Sequence, residues 1–221
     1  HNLPVYFGNR NWHPFASETA EKMSQDGVRK VAVFATSAWG GYSACRQYDE
    51  DIQQMREHLA EQGLPDIEFT KIRQFFDHPK FVAEMAAAVT EVWGQVPEEK
   101  RKSTRLLFTA HSVPVAHDNV GGAEGDKNLY SRQVAEASRL VAARAGISDY
   151  DLVWQSRSGN PRTPWLEPDI VDHTTDIHHN EGVDTVVVCP IGFISDHMEV
   201  IWDLDSELQK AADEMGVKVL R

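Results

Sequence analysis

The sequence predicts an α/β fold with largely parallel sheets. Three observations predict it: short runs rich in β-branched residues, stretches of helical periodicity between them, and alternation of the two along all 221 residues. Parallel strands need crossover connections, usually helical, and they leave ligands beyond their carboxyl ends. Taken in order, PVYFG (residues 4–8) reads as a buried strand, followed by helical periodicity over 17–26. VAVFA (31–35) is the next strand, then a helical stretch over 44–62, a strand over 67–72 and a helical stretch over 79–95. RLLFT (105–109), LVWQ (152–155) and TVVVC (185–189) complete the strands, interleaved with helical patterns at 128–145, 167–181 and 196–215. Residues 95–103, QVPEEKRKS, form the one polar, proline-containing, charge-dense connection. A domain boundary is expected there, dividing 1–98 from 99–221.

Composition bounds the function. With 41% hydrophobic and 25% charged residues the chain is ordinary globular material, and no apolar run reaches membrane-spanning length. Its 22 basic and 34 acidic side chains give a net charge of −12 without a Lys/Arg cluster. That balance argues against nucleic acid and anionic membrane as main partners. Two cysteines, Cys45 and Cys189, lie far apart, which argues against a disulfide framework and for a reducing cytoplasm. The chain opens on His1 rather than Met and runs at once into a strand pattern, so it reads as a piece of something longer. Oligomeric state is not legible.

No Gly-rich phosphate loop, G-x-G-x-x-G, G-x-S-x-G or H-E-x-x-H occurs, so nucleotide-driven chemistry and common serine hydrolysis lose weight. The polar residues at strand ends are more informative. His111, in AHSVP, opens the loop after RLLFT, and Glu199, in DHMEVIWDLDSE, lies near the start of the helix after TVVVC. Both are expected on one rim of one sheet. Glu199, Asp203 and Glu207 recur every four residues, which stacks three anions on one helix face at a cost of a few tenths of a kcal/mol per like-charged pair. A histidine beside a row of carboxylates suits a divalent first-row metal or a proton relay. The row lacks the four tight ligands of structural zinc, so it suits delivery of an ion more than storage. Spacing this regular also suits a π-bulge. His173, His178 and His179 sit on a polar helical stretch and read as a solvated face.

AHSVP, WQSRSGNPRTPWLEPD (154–169) and PIGFISDHMEVIWDLDSE (190–207) together resemble the signature blocks of ferrochelatase, which inserts Fe²⁺ into a porphyrin at the end of haem synthesis. GNRNWHP (8–14) and FATSAWGGYSACRQY (34–48) resemble the actinobacterial branch. The blocks agree in order across nearly the whole chain, and the family's N-terminal portion and C-terminal tail are missing. The resemblance implies a chelatase fold: two similar Rossmann- or flavodoxin-like domains with mainly parallel sheets, the first incomplete. It implies that His111 and Glu199 face each other across the porphyrin centre, with Asp203 and Glu207 on the metal path. His111 is the first choice for the base that takes pyrrole N–H protons, with Glu199 sharing the proton or ligating Fe²⁺.

The substrate then needs a flat apolar slot with polar groups at its rim. SAWGGYS (37–43) offers Trp39 and Tyr42 for stacking, while Ser37 and Arg10 suit propionates. Trp165 suits a pocket wall or the core equally. Where many relatives have Lys-His, this chain has Arg10-Asn11, so a role for that histidine does not transfer. By the same resemblance Cys45 falls at the internal cysteine that, with C-terminal cysteines, holds a [2Fe–2S] cluster. Four thiolates are required and this chain supplies one there. Cys189 reads as a small buried hydrophobe. The actinobacterial likeness favours coproporphyrin III over protoporphyrin IX. The alternatives are a non-catalytic tetrapyrrole or metal carrier and a sirohydrochlorin-type chelatase; the latter predicts histidine where Glu199 stands.

Overall fold

The structure, a computed structural model, describes residues 3–122, 126–160 and 162–221. The chain forms two compact units. One comprises residues up to Ser37 together with Tyr42–Gln74, the other Ala38–Gly41 together with Phe75–Arg221.

In the first unit, helix α1 (Ala16–Gln25) precedes strand β1 (Lys30–Val33). A π-helical turn (Tyr42–Arg46) runs into helix α2 (Gln47–Glu61), and strand β2 (Glu68–Lys71) pairs with β1 in parallel from Lys30↔Glu68 to Val33↔Lys71. Helices α1 and α2 pack on each other around Ala20, Met23, Met55, Leu59 and Ile67. The strand expected at residues 4–8 is not formed. Tyr6 packs on this core, but Val5 and Phe7 point outward, 92% and 66% exposed, and Pro4 offers no N–H to a neighbouring strand.

The second unit is a four-stranded, all-parallel sheet in the order β4-β3-β5-β6. Its elements are helix α3 (Pro79–Trp93), a 3₁₀ turn (Glu98–Ser103), strand β3 (Thr104–His111), the short helix α4 (Val115–Asp118) and helix α5 (Leu129–Ala145). Strand β4 (Tyr150–Gln155), helix α6 (Ile170–Glu181) and strand β5 (Thr185–Cys189) follow. Helix α7 (Met198–Val200) passes into a π-helical segment (Ile201–Leu208) and helix α8 (Gln209–Met215), and strand β6 (Lys218–Leu220) closes the sheet. The continuous apolar runs of β3 and β5 are buried because both faces of a parallel sheet are covered. Leu107, Val153, Val186 and Val188 share one face and pack with Ile170, Ile177, Leu204 and Leu208 of α6 and the π segment. Each such buried aliphatic side chain contributes about 1.5–3 kcal/mol.

The compact units divide before Phe75, and residues 75–98 belong to the second. The boundary expected within 95–103 therefore does not coincide with them, because α3, with Val82, Ala86 and Val89 buried, packs on α5. Helix α6 starts at Ile170, later than the expected 167, because Pro168 precedes the Asp169 cap, whose carboxylate accepts from Val171 N–H at 2.8 Å. Strand β6 was not expected from its three residues. Among the described residues no helix is long and apolar enough to cross a membrane.

Candidate active site

His111 ends β3 at the carboxyl rim of the second unit's sheet, beside Gln155 at the end of β4. Its backbone is pinned: the carbonyl accepts from the Tyr130 hydroxyl (2.9 Å), and the next amide, Ser112 N–H, donates to Gln155 O (2.8 Å). Tyr130 is buried and its hydroxyl is pushed well above the ordinary tyrosine range by burial. The His111 ring is oriented as well. Nδ1 lies 2.5 Å from Ser112 O, and a carbonyl can only accept, so Nδ1 carries a hydrogen and in the neutral ring the lone pair is on Nε2. That lone pair faces Glu199 Oε2 at 3.8 Å, longer than a hydrogen bond and wide enough for a shared proton carrier or ion.

Glu199 lies in α7, and Asp203 follows in the π segment. In a 3.6-residue turn, groups four apart drift by about 40° per step, and the wider π turn reduces that drift. Asp203 Oδ2 accepts from Gln155 Nε2 (3.1 Å) and from Ser156 Oγ. Gln155 is buried and its amide is fixed by Thr109 Oγ1 donating to its Oε1 (3.1 Å). Ser156 holds φ +63°, a left-handed conformation that costs a non-glycine residue about 1–2 kcal/mol. Asp169, capping α6, is held above the ordinary carboxylate range by burial, with the charges of Asp172 and Asp203 adding. Glu207 is exposed and makes no ion pair or hydrogen bond among the described residues. Nor, among the described residues, do three His, Cys, Asp or Glu side chains converge closely enough to hold a metal.

Exposed apolar side chains lie on both sides of Glu199 in the sequence. Ile194, Met198, Ile201 and Trp202 are all exposed, Trp202 to 61%. Trp39, in contrast, is a correction to the expectation. Its indole is 4% exposed, donates to Gly192 O (2.8 Å) and packs against Phe76, Phe81 and Tyr130, so it is core and not a stacking surface. Gly192 is required there, since a Cβ would come within 2.5 Å of Ala110 Cβ. Trp165 is half-buried, its backbone bridges Pro114, and its buried indole N–H meets no acceptor among the described residues. On α6, His173 is not a solvated residue as expected: it lies 3.0 Å from Asp151, which it and Arg105 hold below the ordinary carboxylate range. His178 bonds Val183 O.

The remaining expected residues belong to the first unit. Arg10 is not available for a propionate as it stands, because its guanidinium forks onto Asp51 (2.7–3.1 Å), donates to Gln47 and lies over Tyr48. Ser37 is half-buried and Tyr42 is exposed at the start of the π turn. Cys45, in that turn, receives Gln74 Nε2 (2.7 Å) and Lys71 Nζ (3.1 Å) at its sulfur. Two N–H donors suit a ligand thiolate, and a cluster would need three more thiolates beside it. Cys189, at the end of β5, is buried, with its thiol pushed up to about 12 by burial, which disfavours the thiolate a ligand needs. Sequence reasoning assigned no role to Gln155, Ser156, Tyr130 or Arg221. Gln155 and Ser156 at the end of LVWQ carried the only positional signal.

A family model described as ferrochelatase matches residues 1–221. The chain is 59% identical over 221 residues to a coproporphyrin III ferrochelatase of Corynebacterium glutamicum, covering 100% of this chain and 59% of that protein. It is 56% identical over 221 residues to the protein of that name from Nocardia farcinica, and 54% identical over 220 residues to the one from Mycolicibacterium smegmatis. Each of these covers 100% of this chain and 62% of the relative, so the chain spans about six-tenths of their length. By the match over its whole length, the chain belongs to the ferrochelatase family.

Proposed function

We propose that the chain carries the catalytic residues of a lyase that inserts Fe²⁺ into coproporphyrin III during haem biosynthesis in the cytoplasm. The observation that carries this reading is the His111–Glu199 pair, with Nδ1 engaged by Ser112 O and Nε2 open towards the carboxylate at 3.8 Å. Insertion releases two pyrrole protons as the dication enters, so charge balances only if bases take up 2 H⁺. His111 Nε2 takes one proton at a time, and Glu199 passes it on or ligates the incoming iron. Asp203 and Glu207 draw Fe²⁺ towards that pair, since uncompensated carboxylates favour a dication. Ile194, Met198, Ile201 and Trp202 supply apolar surface for a macrocycle. Trp165, Ser37 and Tyr42 are proposed as further porphyrin contacts, and Cys45 as one ligand of a [2Fe–2S] cluster in the longer protein.

Coproporphyrin III is favoured over protoporphyrin IX by the names of the relatives at 53–59% identity. Cytoplasmic residence is supported by two free cysteines and a charge of −12. The deciding experiment is an absorbance assay on the full-length protein with Fe²⁺ offered separately to the two porphyrins. Faster metallation of coproporphyrin III is expected. Tight binding of porphyrin without any turnover would replace this reading with that of a carrier.

A further inference from the structure

The segment 196–207 carries five acids in twelve residues, and one guanidinium meets two of them, neither of which is the Asp203 held by Gln155 and Ser156. Arg221, directly after β6, forks onto Asp205 with Nε to Oδ1 at 2.9 Å and Nη2 to Oδ2 at 2.6 Å. Its remaining arm, Nη1, donates to Asp196 Oδ1 at 2.9 Å. Asp196 stands three residues before Glu199 and Asp205 two residues after Asp203, so a single rigid group brackets both candidate catalytic acids.

A surface ion pair normally contributes little, because two flexible chains must be ordered for a screened attraction. This one differs in three respects. The Arg221 side chain is only 20% exposed, its planar fork makes two parallel bonds to one carboxylate, and its third bond reaches a separate loop. It also anchors an uncommon conformation, since π-helical turns are rare and need outside support. The buried Leu204 and Leu208 hold the inner face of the segment and Gln155 with Ser156 hold Asp203. Phe193 and Val200 tie the ends of the stretch around Glu199 to the same core, and between them the bond from Arg221 to Asp196 adds a polar anchor three residues before Glu199.

We propose that Arg221 is a positioning residue for metal insertion: through Asp196 and Asp205 it holds the segment in the turn that sets Glu199 opposite His111 and Asp203 on Gln155. The word insertion rests on the function proposed above, whereas the clamp is read from geometry alone, and the experiment separates the two. In the full-length protein, backbone hydrogen exchange and steady-state turnover with Fe²⁺ and coproporphyrin III are compared for wild type, Arg221→Met, Arg221→Lys and Asp205→Asn. Arg221→Met should speed exchange at 201–208 by about tenfold while amides of β3 and β5 keep their protection. Its kcat should fall about tenfold, with KM for porphyrin changed less than twofold, because misplacing a catalytic group lowers the rate without removing apolar contacts. Arg221→Lys should fall in between, keeping the charge and losing the fork. If Arg221→Met fails to fold, Asp205→Asn removes the bidentate arm alone and should show the same local pattern at smaller size.

Unchanged exchange at 201–208, or exchange that rises equally throughout the sheet, would overturn the clamp. A local tenfold rise with wild-type kcat would keep the clamp and overturn its role in positioning Glu199 for insertion. Should the wild type metallate neither porphyrin, the insertion reading fails, and the exchange pattern alone decides whether Arg221 holds the segment.

Discussion

Tyr42–Arg46 in the first unit and Ile201–Leu208 in the second are both π-helical, yet their polar side chains face opposite surroundings. In the first, the Cys45 sulfur lies against donors only, Lys71 Nζ and Gln74 Nε2, and the same ammonium pairs with Asp49 at 2.6 Å. In the second, Asp203 receives neutral donors from Gln155 and Ser156, while its charge bears on the half-buried Asp169. One turn sets a sulfur against an ammonium and an amide N–H. The other gives Asp203 neutral donors and pairs its neighbour Asp205 with the Arg221 guanidinium. A π turn therefore specifies no chemistry by itself; it exposes side chains, and the charges packed against them decide what they can bind.

The largest test removes the imidazole proposed as the base, which faces Glu199 just before the second turn. His111→Ala should reduce insertion below about one-tenth of wild type, since a positioned base contributes roughly 10²–10⁴-fold. Porphyrin binding, read by fluorescence quenching, should be retained. Turnover above that level would remove His111 from the proton path. Next in size is the apolar anchoring: Leu204→Ala should cost about 2–5 kcal/mol in denaturant unfolding, because Leu204 is 1% exposed in the core. Cys45→Ala, at a half-buried position, should cost about 1 kcal/mol. Equal costs would mean that the two turns are anchored alike.

Asp203→Asn should raise KM for Fe²⁺ roughly threefold or more while KM for porphyrin stays within about twofold, because it removes charge and not apolar surface. Parallel changes in both constants would make the acidic segment structural. Cys45→Ser, in full-length protein prepared anaerobically with iron, should abolish visible iron–sulfur absorbance and leave intrinsic insertion intact; a wild-type preparation without such absorbance would reduce Cys45 to a packing residue. The smallest effect concerns Asp169. Its folded-state pKa is raised, so the folded chain binds that proton more readily than the unfolded chain, and the carboxylate weakens the fold at neutral pH. Asp169→Asn should then be neutral or stabilising by up to about 1 kcal/mol at pH 7. The gain should vanish as the pH falls through the folded-state pKa and the wild-type carboxyl takes up its proton.

Much of the fold was legible because burial writes itself into period and run length. TVVVC matches β5 residue for residue, and the π character expected from the spacing of Glu199, Asp203 and Glu207 is present at Ile201–Leu208. Residues 4–8 misled for the same reason: PVYFG carries strand composition, but composition records what a segment can bury and not whether a neighbour is there to cover Val5 and Phe7. Trp39 misled in the opposite sense. A small-residue loop with an aromatic suits stacking, and here its indole N–H reaches Gly192 O, 153 residues away.

The sequence by itself determined the parallel α/β class, the position of His111 at a strand's carboxyl end and the family, because these depend on local patterns and on the order of motifs. Only the tertiary structure decided which nitrogen of His111 is open, which donors hold Asp203 and which cation brackets Glu199. Those choices rest on contacts between residues far apart in the chain, Gln155 with Asp203 and Arg221 with Asp196 and Asp205. A hydrogen bond is made or lost within a few tenths of an ångström, and no spacing rule along the chain carries that resolution.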